Sequence, residues 1–150
     1  MTRDQKIYHL AYWIASFIIA ATLLSGWHKI LHPADFALAV YRYHLLPDFL
    51  VNMVSLFFPW LEVVTALALL FIPRFRVAAL CLAMAILLLF TAGIAINLLR
   101  GTPFGCGCFG NSPTAQPMSW LNVARNVALI LLTALALIAR RRAGMNGGRP

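Results

Sequence analysis

Four long apolar runs, separated by short polar or Gly- and Pro-containing stretches, set the pattern of the chain. They cover about residues 7–25, 50–72, 77–99 and 120–139. A helix rises about 1.5 Å per residue, so roughly 20 apolar residues cross about 30 Å of hydrocarbon. Lipid offers no partner to a free backbone N–H or C=O, so each run is expected to be a helix. The third run is the least interrupted, with no charge between Arg76 and Arg100. The fourth carries Arg125 near its start. The first is expected to stay on the chain, because its apolar stretch is long for a signal peptide and Trp27-His28-Lys29 follow it in place of small residues. Pro73-Arg74-Phe75-Arg76 predicts a tight turn between the second and third runs.

Between the first two runs a different period emerges. Pro33 opens a helix, Asp35 sits in its first turn and Pro47 follows its end. Phe36, Ala39, Val40, Tyr43 and Leu46 share one face at helical spacing, with Asp35 and Arg42 off it. This predicts a short amphipathic helix in the membrane interface, its apolar face engaged in packing. The expected fold is all-α: one membrane domain, a four-helix bundle with a short interfacial helix between spans 1 and 2.

Composition agrees. Hydrophobic residues make up 62% of the 150, against 12 Lys or Arg and 4 Asp or Glu. A soluble domain carries about 25% charged residues, so a soluble enzyme and a disordered chain are both excluded. The net charge of +8 does not suggest nucleic acid, because the cations sit at the ends of apolar runs. Arg3, Lys6, Arg74, Arg76, Arg140, Arg141, Arg142 and Arg149 fall on one side; Lys29, Arg42, Arg100 and Arg125 fall on the other. The excess marks the cytoplasmic side. Both termini are therefore expected in the cytoplasm, and residues 26–49 and 99–119 outside it.

The second outer segment holds the most specific chemistry. Cys106 and Cys108 flank Gly107, with Gly105 and Gly110 beyond. Cysteines two apart can reach disulfide distance only through unusual backbone angles, which Gly107 permits. Such a bridge is strained, and strained exposed disulfides exchange readily. An oxidising compartment would let it form. Four readings stand: a redox-active pair, a permanent bridge, a metal site and two inert thiols. A ring this small gains little stability from cross-linking, which counts against the permanent bridge. A metal site would need further ligands such as His28, His32, His44 or Met118. Arg100 and the loop amides are placed to lower a thiol pKa. Cys81, inside the third span, is expected to be a small buried apolar residue.

Glu62 is the one acid well inside a span. A carboxylate there is costly and faces the protein interior or a wet cavity. It either relays protons and orients a partner, or closes a buried ion pair. Its candidate partners are Lys29, just past the first span, and Arg125. Pro59 just before it predicts a kink, and Asn97 and Asn122 are candidates for interhelical hydrogen bonds. Trp13, Trp27 and Trp120 fall near span ends, where aromatic belts form.

Taken together, Ser25-Gly26-Trp27-His28-Lys29, Tyr43-His44-Leu45-Leu46-Pro47, Pro59-Trp60-Leu61-Glu62, Cys106-Gly107-Cys108-Phe109-Gly110 and Arg125-Asn126 resemble the MauE family, within the DoxX-like group of four-helix membrane proteins. The resemblance covers about residues 8–139. It implies a role in methylamine utilisation: maturation of the disulfide-rich small subunit of methylamine dehydrogenase, alongside a thioredoxin-like, MauD-like periplasmic partner. It implies a bacterial inner-membrane protein with its Cys-Gly-Cys loop in the periplasm.

The expected function is thus exchange of disulfide or thiol equivalents through Cys106 and Cys108, with Glu62, Lys29, Arg125 and Gly107 in support. The rivals are a non-catalytic assembly scaffold and thiol-based metal handling. No cofactor is called for; a membrane quinone would serve as electron partner, but no quinone or haem motif is visible. Turnover is left open, with a partner-dependent accessory protein favoured over an enzyme.

Overall fold

The computed structural model describes residues 3–101 and 119–142. Over these it is helical: α1 Arg3–Leu24, α2 Trp27–Leu31, α3 Pro33–Arg42, α4 Asp48–Phe71, α5 Arg76–Leu99 and α6 Trp120–Arg142. The four long helices lie within stretches long and apolar enough to cross a membrane. They pack in the cyclic order α1, α4, α5, α6, with α6 closing against α1 and only light contact across the diagonal from α1 to α5. The chain is a four-helix bundle, with α2 and α3 laid against α4.

Small residues hold the bundle together. Ala20, Ala66, Ala83 and Ala136 are fully buried beside Ile19, Leu69, Leu80 and Ile86. Between helices in lipid there is no hydrophobic driving force, so close approach and dispersion decide the packing, and alanine permits close approach. The outward faces carry large apolar side chains such as Phe17, Phe57 and Leu99. Hydroxyls along the helices are satisfied locally: Ser16, Ser55, Thr65 and Thr133 each donate to the carbonyl four residues earlier, at 2.6–2.8 Å.

Helix α4 continues through Pro59. The turn between α4 and α5 is a single 3-10 turn at Pro73–Phe75. Helix α3 opens with Pro33, buries Phe36 and Ala39, and half-buries Val40. Asn97 is buried, and its amide donates to the Gly93 carbonyl of the same helix at 3.0 Å.

One expectation needs correction. Cys81 is exposed on the bundle's outer face rather than buried. It lies just past fully buried Leu80, and in lipid a thiol on the outer face meets hydrocarbon, as apolar as the core. Arg76, the first residue of α5, is 3% exposed. Its Nε donates to the Leu69 carbonyl at 2.8 Å, satisfying an acceptor in the last turn of α4. Its guanidinium lies 3.7 Å from the Trp13 ring centroid, so a cation–π contact ties α5 to α1.

Candidate functional site

At the other end of α1 the chain does not simply leave the bundle. Gly26 N–H bonds the Leu23 carbonyl at 3.0 Å, and Lys29 N–H bonds the Gly26 carbonyl at 2.9 Å. This turn starts α2, which carries Lys29 inward until it is 4% exposed. Helix α4 supplies its partner. Val51, Ser55, Pro59, Glu62, Thr65 and Leu69 form the buried stripe of α4 at spacings of three and four, which points Glu62 inward.

The two side chains meet in a two-pronged ion pair. Lys29 Nζ donates to Glu62 Oε2 at 2.9 Å and to Oε1 at 3.1 Å, with both side chains 4% exposed. The ammonium also stands 4.6 Å from the Phe90 ring centroid and 5.2 Å from that of Phe36. An isolated charge in so apolar a setting would cost several kcal/mol. Here two hydrogen bonds and two aromatic faces offset that cost.

Gly26 makes the approach possible. A Cβ at this position would overlap Glu62 Oε2 and lie 3.0 Å from the Leu23 carbonyl oxygen. The backbone of Gly26 is ordinary helical backbone, so the residue is needed for room and not for its dihedral freedom.

Beside the pair lies a cavity of about 40 Å³, lined by Thr22, Gly26, Lys29, Glu62, Arg125 and Asn126 on its polar side and by Ile86, Leu87 and Phe90 on its apolar side. A water needs roughly 10–15 Å³ of such space and two or more polar partners, so size and lining both suit water. The structure thus gathers three of the expected residues, Lys29, Glu62 and Arg125, around one cavity, and of the two candidate cations it pairs Lys29 with Glu62. Cys106, Gly107 and Cys108 lie outside the described residues. The segment that holds them is rooted at Gly101 and Ser119. Arg125 is five residues into α6 from Trp120, an axial distance of about 7.5 Å. Among the described residues no three His, Cys, Asp or Glu side chains converge, and His28, His32 and His44 are each exposed.

Sequence reasoning missed the lining role of Thr22 and the clash-free contact at Gly26. A glycine directly after a membrane span, followed by a lysine, is the signal that pointed there. The aromatic flanks of the ammonium, Phe36 and Phe90, had no signal beyond their apolar character.

Fold and site define a multi-pass membrane protein: a four-helix bundle with a buried ion pair beside a small cavity. The family profile "Methylamine utilisation protein MauE" matches residues 7–139, and the chain belongs to that family. It is 40% identical over 138 residues to a methylamine utilization protein MauE of Paracoccus denitrificans, covering 91% of this chain and 69% of the relative. Its identity to the MauE of Methylophilus methylotrophus is 35% over 130 residues, covering 86% and 66%. To that of Methylorubrum extorquens it is 36% over 120 residues, covering 79% and 63%. The chain therefore spans about two thirds of the length of these relatives. No solved structure matches it.

Proposed function

We propose that this chain acts in methylamine utilisation as a membrane maturation factor, exchanging thiol–disulfide equivalents with a thioredoxin-like partner and, through it, a disulfide-rich client. The client that best fits is the small subunit of methylamine dehydrogenase. The observation that carries the reading is Cys106-Gly107-Cys108 in the segment joining two membrane-spanning helices. Membership of the MauE family supports the setting.

The chemistry is thiol–disulfide exchange. A partner thiolate attacks one sulfur of the Cys106–Cys108 disulfide, a mixed disulfide forms, and the other loop cysteine leaves as thiolate. A second partner thiolate then breaks the mixed bond, leaving the partner oxidised and both loop cysteines reduced. The bundle's part is to hold the two roots of the loop at a fixed place over the membrane. Glu62, Lys29 and Arg125 position that frame. Replacing Cys106 or Cys108 by Ser should abolish client maturation, read as correctly disulfide-bonded small subunit in the periplasm. Full maturation in both single variants would refute the proposal and leave the loop a docking element.

A further inference from the structure

The end of the bundle away from the Lys29–Glu62 pair is dense in positive charge. Arg3 and Lys6 open α1, Arg74 lies in the turn before α5 and Arg76 begins that helix, and Arg140, Arg141 and Arg142 close α6. Ring contacts bring these segments to one place. The Arg142 guanidinium lies 5.9 Å from the Tyr8 ring centroid, and that of Arg76 lies 3.7 Å from Trp13 and 6.0 Å from Tyr12. Against these seven cations, Asp4 is the one acid among the described residues at this end. Toward the other end, Lys29, Arg42, Arg100 and Arg125 share their half of the bundle with Asp35, Asp48 and Glu62.

The described part of the chain does not offset this excess. Among the described residues, Arg3, Lys6, Arg74, Arg140, Arg141 and Arg142 form no ion pair, and all but the half-buried Arg140 are exposed. Arg3 and Lys6 stand in the first turn of α1, and Arg76 is the first residue of α5. The backbone dipole is positive at both places, so these cations sit where their own helices disfavour them. Their depth matches one particular layer. Arg142 lies against Tyr8, and Arg3 is five residues further out on α1. That is about 7.5 Å along the axis, and the headgroup layer of one leaflet is about 5–7 Å thick. The exposed cations therefore ring the spans at the depth where lipid phosphates lie.

We propose that this end of the bundle binds acidic phospholipids, their headgroup phosphates held between the cations that open α1 and those that close α6. Arginine suits the task, since its planar fork donates paired hydrogen bonds to phosphate oxygens. The charge balance selects the headgroup. A zwitterionic phosphatidylcholine brings its own cation and leaves the excess in place, whereas phosphatidylglycerol brings a net negative charge. Basic clusters beside membrane-spanning helices attract acidic lipids at about a factor of five per cation.

The test incubates the full chain in detergent micelles with equal amounts of dioleoylphosphatidylglycerol and dioleoylphosphatidylcholine. Lipid that stays with the protein through gel filtration is then quantified by mass spectrometry. Phosphatidylglycerol should be retained about tenfold over phosphatidylcholine. The Arg140→Gln/Arg141→Gln/Arg142→Gln variant should lose most of that preference, and glutamine keeps the helix propensity of α6. Lys6→Gln/Arg74→Gln, at two exposed positions, should lower the preference several-fold and serves if the triple variant does not fold. Arg42→Gln/Arg100→Gln removes charge from the other end and should keep the preference. Equal retention of the two lipids overturns the proposal, and so does a preference that both sets of substitutions at this end leave unchanged. A preference lost equally in the Arg42→Gln/Arg100→Gln variant also overturns it, because net charge and not this end would then be the cause. Inorganic phosphate separates a lipid site from one for the free anion. It should displace phosphatidylglycerol no more than chloride does at equal ionic strength; displacement by phosphate alone would assign the cations to free phosphate and overturn the lipid.

Discussion

Removing one partner of the Lys29–Glu62 pair should cost far more than removing both. In the Glu62→Leu variant the ammonium, whose side chain is 4% exposed, loses both of its hydrogen bonds at 2.9 and 3.1 Å. Its aromatic neighbours Phe36 and Phe90 remain but supply no acceptor. Breaking a buried pair in this way costs about 3–5 kcal/mol. The adjoining cavity of about 40 Å³ gives water access to the orphaned charge, which places the expected loss near the lower end, at about 3 kcal/mol. In Lys29→Met the carboxylate is orphaned instead, and it can take up a proton, so a somewhat smaller loss is expected. The double variant removes both charges of the pair and replaces both groups with apolar side chains of similar length, so it should lie within about 1–2 kcal/mol of the parent. The two substitutions would then be strongly non-additive. The assay is unfolding in mixed micelles with rising SDS, followed by far-UV circular dichroism. Two results would refute the reasoning: single variants that each lose less than about 1 kcal/mol, or a double variant whose loss equals the two single losses together.

Two further predictions concern residues that hold the same frame. Gly26→Ala should destabilise the protein by about 1–3 kcal/mol through overpacking against Glu62; the loss should shrink in a Glu62→Ala background, as measured by the same SDS titration. Arg76→Ala should cost about 3 kcal/mol, since it removes both a charged hydrogen bond to Leu69 and a ring contact with Trp13. Arg76→Lys should recover only part of this, because an ammonium cannot stack as a guanidinium does; a shift in Trp13 emission, in a variant with that tryptophan alone, reports the lost contact.

The four spans were legible because the bilayer makes a severe demand on sequence. The expected runs 50–72 and 77–99 lie beside the helices Asp48–Phe71 and Arg76–Leu99, whereas the first helix already begins at Arg3 and the last runs on to Arg142. The amphipathic helix from Pro33 was legible for the same reason a soluble helix is, since its two faces differ. Helix α2 was not. Five residues are too few to show a period, and what fixes them is the contact between Glu62 and Gly26, more than 30 positions apart. The exposure of Cys81 was illegible because α5 is apolar on every face, and hydropathy cannot tell a lipid-facing position from a core one. The burial of Arg76 had no local signal either: nothing near it in the sequence announces a tryptophan 63 positions earlier. The choice between Lys29 and Arg125 as partner of Glu62 needed the geometry of Gly26, which turns the chain so that Lys29 points back into the bundle.

The central claim is that Cys106 and Cys108 form an exchangeable disulfide on the outer side of the membrane. The most direct measurement is labelling of these two thiols in intact cells with a membrane-impermeant maleimide, before and after mild reduction, in a variant with Cys81 replaced by Ala. The account predicts no label before reduction and two labels after it. Labelling without any reductant would contradict a resident disulfide, and label that enters only after the membrane is opened would contradict the outward placement of the loop.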